Sequence, residues 1–372
     1  MLGLLSGPLT TAQATTGSAA DSPTAITPKA SAAQAKAVCD AQLKAARDAG
    51  ATKPVACASW AAKLSAADRA ALTRWPTPSW CEDHIDSAWY VTRFNACGVF
   101  PGDLTVHDTR TGKVVGRMHY LGVGYAFSAY DEKSWAYQIE IVQVNASGLA
   151  VGSSANGRGT CDGKCKVSSS KFPSQLVTKE KEAIGQFFFD TTIRATPKGD
   201  QGWGQGTATW VFTNPAWVGP STDFTLHATP VRCDNALPGT SKIGCVMPYI
   251  PEMVYAKNGE FPELAKHIEY AQNTLKLPGK HGTTKYLTRL TNATKIRKNR
   301  DKSCPSSRPR PQGKQCDEYP FASTWQGAST GGGKFSWRMI NAKQNREGGQ
   351  ALGNFYLYNR IIEKDQFLVW IK

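Results

Sequence analysis

Apolar residues along this 372-residue chain follow first a helical rhythm, then strand alternation, then a mixture of the two. Residues 1–30 have no periodic apolar positions and are rich in Ala, Thr, Ser and Pro, so they read as a disordered linker or as the remnant of an export signal. Ala32 to Ala49 and Trp60 to Thr73 are Ala-rich and predict helices, which Cys39 and Cys57 would tie together in a segment spanning 31–79. From Trp80 to about Thr229 the pattern changes to short β-type runs broken by Gly, Asn, Asp and Pro. In Trp135-Ala136-Tyr137-Gln138-Ile139-Glu140-Ile141 the odd positions are apolar and the even ones mostly polar, as in a strand with one buried face. Thr207 to Thr213 and Asp223 to Val231 follow the same rule, and residues 80–232 are therefore expected to form a β-rich domain, an antiparallel sandwich or barrel-like unit. Its histidines, His84, His107, His119 and His227, each stand alone in the sequence and suggest structural roles.

Residues 233–372 predict a compact α+β domain, with Cys233 and Cys245 enclosing a Gly/Pro-containing loop at its start. Pro262 and Glu263 open a helix whose stripe is Leu264, Ile268, Ala271 and Leu275, with His267 at the edge of the buried face. A basic loop is expected from Lys280 to Gln315 and a flexible one from Gly327 to Gly333. A strand near Phe335 to Ile340, a helix from about Gly348 to Asn359 and a final strand from Phe367 to Ile371 complete the domain.

Composition narrows the setting. The ten cysteines fall as local neighbours, Cys39/Cys57, Cys81/Cys97, Cys161/Cys165, Cys233/Cys245 and Cys304/Cys316, a spacing that suits disulfides stapling loops in an oxidising compartment. Zinc is the alternative, but the chain has no C-x-x-C, and Cys161 and Cys165 have no nearby His. Near the start, Ala12-Gln13-Ala14 has the shape of a signal-peptidase site, although no basic residues precede it. No run reaches the roughly 20 apolar residues of a membrane span. The formal net charge is +15, and between Val246 and Gln315 fourteen Lys and Arg face five acids. Such a concentration of positive charge attracts polyanions.

The segment Cys316-Asp317-Glu318-Tyr319-Pro320-Phe321-Ala322-Ser323-Thr324 closely resembles the signature of the NucA/NucB-type secreted deoxyribonucleases. Other blocks resemble the family in order: Phe261-Pro262-Glu263 through His267-Ile268, Lys298-Asn299-Arg300 before Cys304, and Gln344-Asn345-Arg346 with Gly348-Gly349 and Gly353-Asn354. The resemblance covers about 251–372 and implies a secreted, extracellular, metal-dependent endonuclease that hydrolyses DNA. A monomer is expected, with DNA as its partner and an inhibitor or immunity protein as a further one.

Phosphodiester hydrolysis needs an activated water and stabilisation of the charge that develops on phosphorus oxygens. Hard carboxylate oxygens suit Mg²⁺ or Mn²⁺, which makes Asp317 and Glu318 the metal-ligand or general-base candidates. Neighbouring side chains on a strand take opposite faces, so one of the two is expected nearer the metal. His267 is a candidate for activating water or holding the metal, and Asn345 for orienting either or capping a helix. Arg300 and Arg346 are candidates for clamping phosphate, with Lys295, Arg297 and Lys298 adding contacts to the DNA backbone. One position departs from the pattern: Gln326 stands where many members carry Glu. A non-catalytic extracellular DNA-binding protein with a decayed nuclease fold is therefore one alternative, and a secreted nuclease toxin another.

Overall fold

The computed structural model describes residues 32–372 apart from 62, 75–76 and 87, and the proposed signal remnant lies outside the described residues. In chain order the first part contains α1 (Ala32–Asp48), β1 (Val55–Trp60), α2 (Ala66–Leu72), α3 (Ser79–Glu82), β2 (Tyr90–Val91), β3 (Asn95–His107), β4 (Val114–Phe127) and β5 (Ser134–Gly148). It continues through β6 (Ser154–Gly163), β7 (Cys165–Lys171), β8 (Gln175–Leu176), β9 (Ala183–Thr191), β10 (Gln201–Thr213), β11 (Phe224–His227), β12 (Val231–Asp234) and β13 (Gly244–Val246). The remainder contains β14 (Glu252–Tyr255), α4 (Pro262–Asn273), β15 (Leu287–Thr288), α5 (Ala293–Ser303), β16 (Lys314–Tyr319), β17 (Ser336–Asn341), α6 (Ala342–Tyr358) and β18 (Gln366–Ile371).

Two curled antiparallel sheets make up most of the molecule. One runs β1-β3-β4-β5-β9-β7 with β2 on β3, and the other β13-β12-β10-β6-β8 with β11 on β10. Their facing sides share one core, in which Tyr120, Tyr137, Ile139, Phe187 and Phe189 meet Trp210, Phe212 and Phe224. The alternation read in Trp135 to Ile141 is the burial pattern of β5, whose odd positions are buried and even ones half-buried.

All five cysteine pairs are disulfides with the partners their spacing suggested: Cys39–Cys57, Cys81–Cys97, Cys161–Cys165, Cys233–Cys245 and Cys304–Cys316. The expectation that they staple loops needs correction for two of them. Cys97 lies in β3 with no exposed surface and joins the sheet to Cys81 on α3, inside a small apolar core with Val99, Leu121 and Val123. Cys245 lies in β13, equally buried, and stands directly opposite Cys233 in the β12–β13 pair, so that disulfide crosses two paired strands. Both bonds are therefore part of the packed interior, where sulfur behaves as an apolar side chain.

Several other local expectations also change. The helix expected over Trp60 to Thr73 shrinks to α2, because Val55–Trp60 pairs with β3 as an edge strand and Ser65 caps the helix only afterwards. Cys39–Cys57 accordingly joins a helix to a strand. Strand pairing also continues past residue 233: β12 and β13 pair into the second sheet, and a separate core begins with β14. His119, solitary in sequence, lies 2.7 Å from Asp103 and 2.8 Å from Asp68, which pins α2 onto β3 and β4. The Asp103 hydrogen bond is the main reason that its pKa is raised.

In the C-terminal part, β14 and β15 flank β18, β16 pairs with β17, and α4 and α6 pack beside them. Leu264, Ile268 and Ala271 are buried as expected, whereas Leu275 follows the end of α4 and is 42% exposed. The expected basic loop contains α5, capped by the Asn292 side chain, which accepts from Lys295 N. Periodicity missed it because its buried residues are Asn299 and Ser303 rather than an apolar stripe. Helix α6 begins before the expected Gly348, because Asn341 caps it by accepting from the amides of Lys343 and Gln344. Gly348 is a contact point rather than a helix start: a Cβ there would lie 2.3 Å from Leu264 Cδ2. Its absence lets α6 approach α4 closely.

A buried charge cluster joins the two parts. Arg360 donates to Asp234 Oδ2 at 3.1 Å, Arg232 to Asp365 Oδ1 at 2.5 Å, and Arg93 to the carbonyls of Tyr249, Asn359 and Arg360.

Candidate active site

Strand β16 carries Asp317 and Glu318 into a cleft of about 720 Å³ between α5 and α6. Its walls include Arg289, Arg300, Arg310, Ser323, Asn345, Arg346 and Tyr356. Gly349 and Gly353 line the α6 side, and a Cβ at either would meet nothing within 4 Å, so they leave that side open. Two devices hold the motif strand in place. Cys304–Cys316 staples it to the end of α5, and Asn299 bonds the loop that follows: its amide donates to the carbonyls of Ala322 and Thr324 and its oxygen accepts from Ser329 N and Thr330 N. Asn299 therefore acts as internal scaffolding. Of the ten cysteines, Cys304 and Cys316 line the cleft; Cys39, Cys57, Cys81, Cys97, Cys161, Cys165, Cys233 and Cys245 lie outside its lining.

Asp317 and Glu318 share a backbone but differ in surroundings. Asp317 is buried against α4, where His267 Nδ1 donates to Oδ2 at 2.5 Å while His267 Nε2 meets Ser336 Oγ at 2.9 Å. Burial raises the Asp317 pKa, and the His267 hydrogen bond opposes the shift. Glu318 lies on the other face of the strand. Burial and the adjacent Asp317 push its carboxyl up to about 8, against the pull of Arg300.

The structure brings Asp317, Glu318, Asn345, Arg300 and Arg346 to one cleft. Asn345 is not a cap; it sits in the first turn of α6 and donates to the Cys316 carbonyl at 3.3 Å. His267 lies behind Asp317 with no exposed surface and both ring nitrogens occupied, so as it stands it positions a carboxylate instead of touching water. Lys295, Arg297 and Lys298 are exposed on α5 outside the cleft lining, with Lys295 over the Trp325 ring at 4.2 Å. Gln326 also lies outside the lining: its oxygen accepts from Thr288 N at 2.8 Å and its amide donates to Thr288 Oγ1 at 3.0 Å. Sequence reasoning did not select Arg289, whose guanidinium lies 3.7 Å from the centre of the Tyr356 ring, or Arg310 in the stapled loop. A lone Arg in a basic stretch carries no local signal of where it points.

The donor chemistry fits a hard divalent ion. An ionised Glu318 would be a poorly compensated carboxylate on the cleft wall, and opposing that cost is what a cation does. Among the described residues, no group of three His, Cys, Asp or Glu side chains converges at this cleft; the only such group is Cys39, Cys57 and His107, whose cysteines are a disulfide. The fit is therefore to an ion held by one or two carboxylates that takes its other oxygens from water and substrate, as Mg²⁺ commonly does.

Comparison with curated proteins yields no match. A family model, Deoxyribonuclease NucA/NucB, matches residues 275–370, a stretch that includes α5, the motif strand β16 and α6 but not α4 with His267. The segment of the chain that builds the cleft from α5 onward is thus similar to the NucA/NucB deoxyribonucleases.

Proposed function

We propose that the chain is an exported, metal-dependent endonuclease that hydrolyses DNA phosphodiester bonds, with 252–371 as its nuclease unit and the two curled sheets as a scaffold fused to it. The observation that carries this reading is the placement of Glu318, a carboxyl pushed up to about 8, in a cleft with four arginines, Arg289, Arg300, Arg310 and Arg346. A general base works best when its pKa lies near the working pH, and Glu318 is suited to taking the proton of an attacking water. The arginines bind the phosphate and offset the charge that grows on its oxygens. His267 and Ser336 hold the Asp317 carboxylate, and Asn345 steadies the strand through the Cys316 carbonyl. Mg²⁺ or Mn²⁺ held by Asp317, whose carboxylate His267 orients, would supply Lewis-acid stabilisation.

Five disulfides support an oxidising destination. No helix among the described residues is long and apolar enough to cross a membrane. Gln326 bonds Thr288 outside the cleft lining, which supports the enzyme reading over the decayed-nuclease alternative. Plasmid nicking with Mn²⁺ or Mg²⁺, with and without EDTA, tests the proposal. Wild type should nick and E318Q should be slower by about 10²-fold or more, the scale of losing a general base. Binding without nicking under every metal condition would leave a DNA-binding protein.

A further inference from the structure

Trp337 lies directly across the β16–β17 pair from Glu318. Residues opposite one another in an antiparallel pair share a face, with Cβ atoms about 5 Å apart. Trp337 thus starts from the same face of the sheet as Glu318, although it and Arg308 lie beside the cleft lining and not within it. It is 40% exposed, on a two-stranded sheet that adds no third strand on that side. Arg308 is laid across it, its guanidinium carbon 3.4 Å from the ring centre, and donates to the Ser303 carbonyl at 3.4 Å. Arg308 Nε is buried without a hydrogen-bond partner, and among the described residues Arg308 forms no ion pair. Its cation is thus held by the ring and left unneutralised. The loop that carries it is closed by Cys304–Cys316 and also carries Arg310, which lines the cleft.

We propose that Trp337 and Arg308 form a stacking subsite for an unpaired nucleobase next to Glu318, so that the nuclease prefers single-stranded or locally melted DNA; this rests on the nuclease reading above. A planar aromatic ring with a guanidinium on its face is a surface on which any base can stack. In a duplex the faces of the bases are already stacked on their neighbours, so only an unpaired base can use it. The cationic Arg308 and Arg310 match the phosphates on either side of such a base.

The full chain is tested on a short oligonucleotide, single-stranded and as its duplex. Binding is followed separately by 2-aminopurine fluorescence in the single strand, with the E318Q protein in metal-free buffer. Wild type should cleave the single strand faster than the duplex. W337A should raise KM for the single strand by roughly 5- to 10-fold at little change in kcat, as loss of one stacking contact implies, and W337F should restore most of it. E318Q should quench 2-aminopurine, and E318Q/W337A should not. Unchanged single-strand preference in a folded W337A protein, or equal quenching with and without Trp337, overturns the proposal. If wild type cleaves neither substrate while quenching still depends on Trp337, the nuclease reading fails and the stacking site stands.

Discussion

His267 Nδ1 lies 2.5 Å from Asp317 Oδ2, although the two residues are fifty positions apart and α4 lies outside the stretch that matches the family. A buried imidazole with both nitrogens engaged acts on chemistry by orienting its partner. H267A should therefore lower kcat by about 10- to 100-fold, the usual cost of losing such a supporting group, and raise the Mn²⁺ concentration needed for half activation. S336A, which removes a neutral hydrogen bond from the far nitrogen, should cost only about 1 kcal/mol of stability. A folded H267A protein with wild-type kcat and metal response would exclude the positioning role.

Desolvation and the neighbouring Asp317 push the Glu318 carboxyl up from an ordinary 4.5 to about 8, and desolvation shifts Asp317 in the same direction. A carboxyl whose folded pKa is raised gives its full stability below the unfolded value and loses it as pH rises through the folded value. In EDTA the melting temperature should therefore fall between about pH 4.5 and 8 and level off above, with the fall shallower in E318Q. Excess Mg²⁺ should flatten the wild-type profile, since a bound cation favours the ionised form. Identical profiles for wild type and E318Q would show that the Glu318 carboxyl is not shifted in the folded chain.

Arg300 on α5 and Arg346 on α6 both line the cleft. If each neutralises one phosphate, R300A/R346A should weaken DNA binding and reduce the slope of log affinity against log salt by roughly 0.9 per contact. Fluorescence anisotropy across a salt series measures this. An unchanged slope would make both arginines part of a solvated surface.

Arg360 is 1% exposed and donates to Asp234, also buried, which links the loop after α6 to β12. Removing one partner of a buried pair strands the other charge, at a cost of about 3 to 5 kcal/mol. Urea unfolding of R360A should show that loss. It should appear in nuclease activity as well as in the fluorescence of the sheet tryptophans, because the cluster spans both cores. A loss below about 1 kcal/mol would mean that Arg232 alone satisfies Asp234.

The sequence by itself determined the local features. Alternation in β5, the stripe of α4, the local grouping of the ten cysteines and the contiguous Asp317-Glu318 motif all depend on residues near one another, so periodicity and spacing expose them. Helix α5 and the true start of α6 escaped because polar contacts hold them: Asn299 and Ser303 are the buried face of one, and Asn341 caps the other. Spacing suggested the partners of Cys97 and Cys245 but not their burial within strands, which depends on what packs over them. Only the tertiary structure decided that His267 sits behind Asp317, that Gln326 spends its amide on Thr288, and that Arg289 and Arg310 turn into the cleft. It also decided that His119 bridges two aspartates and that Trp337 stands across from Glu318. Each of these joins positions distant in the chain or depends on strand register, and a long polar side chain carries no pattern that says which partner it will reach until the backbone has closed around it.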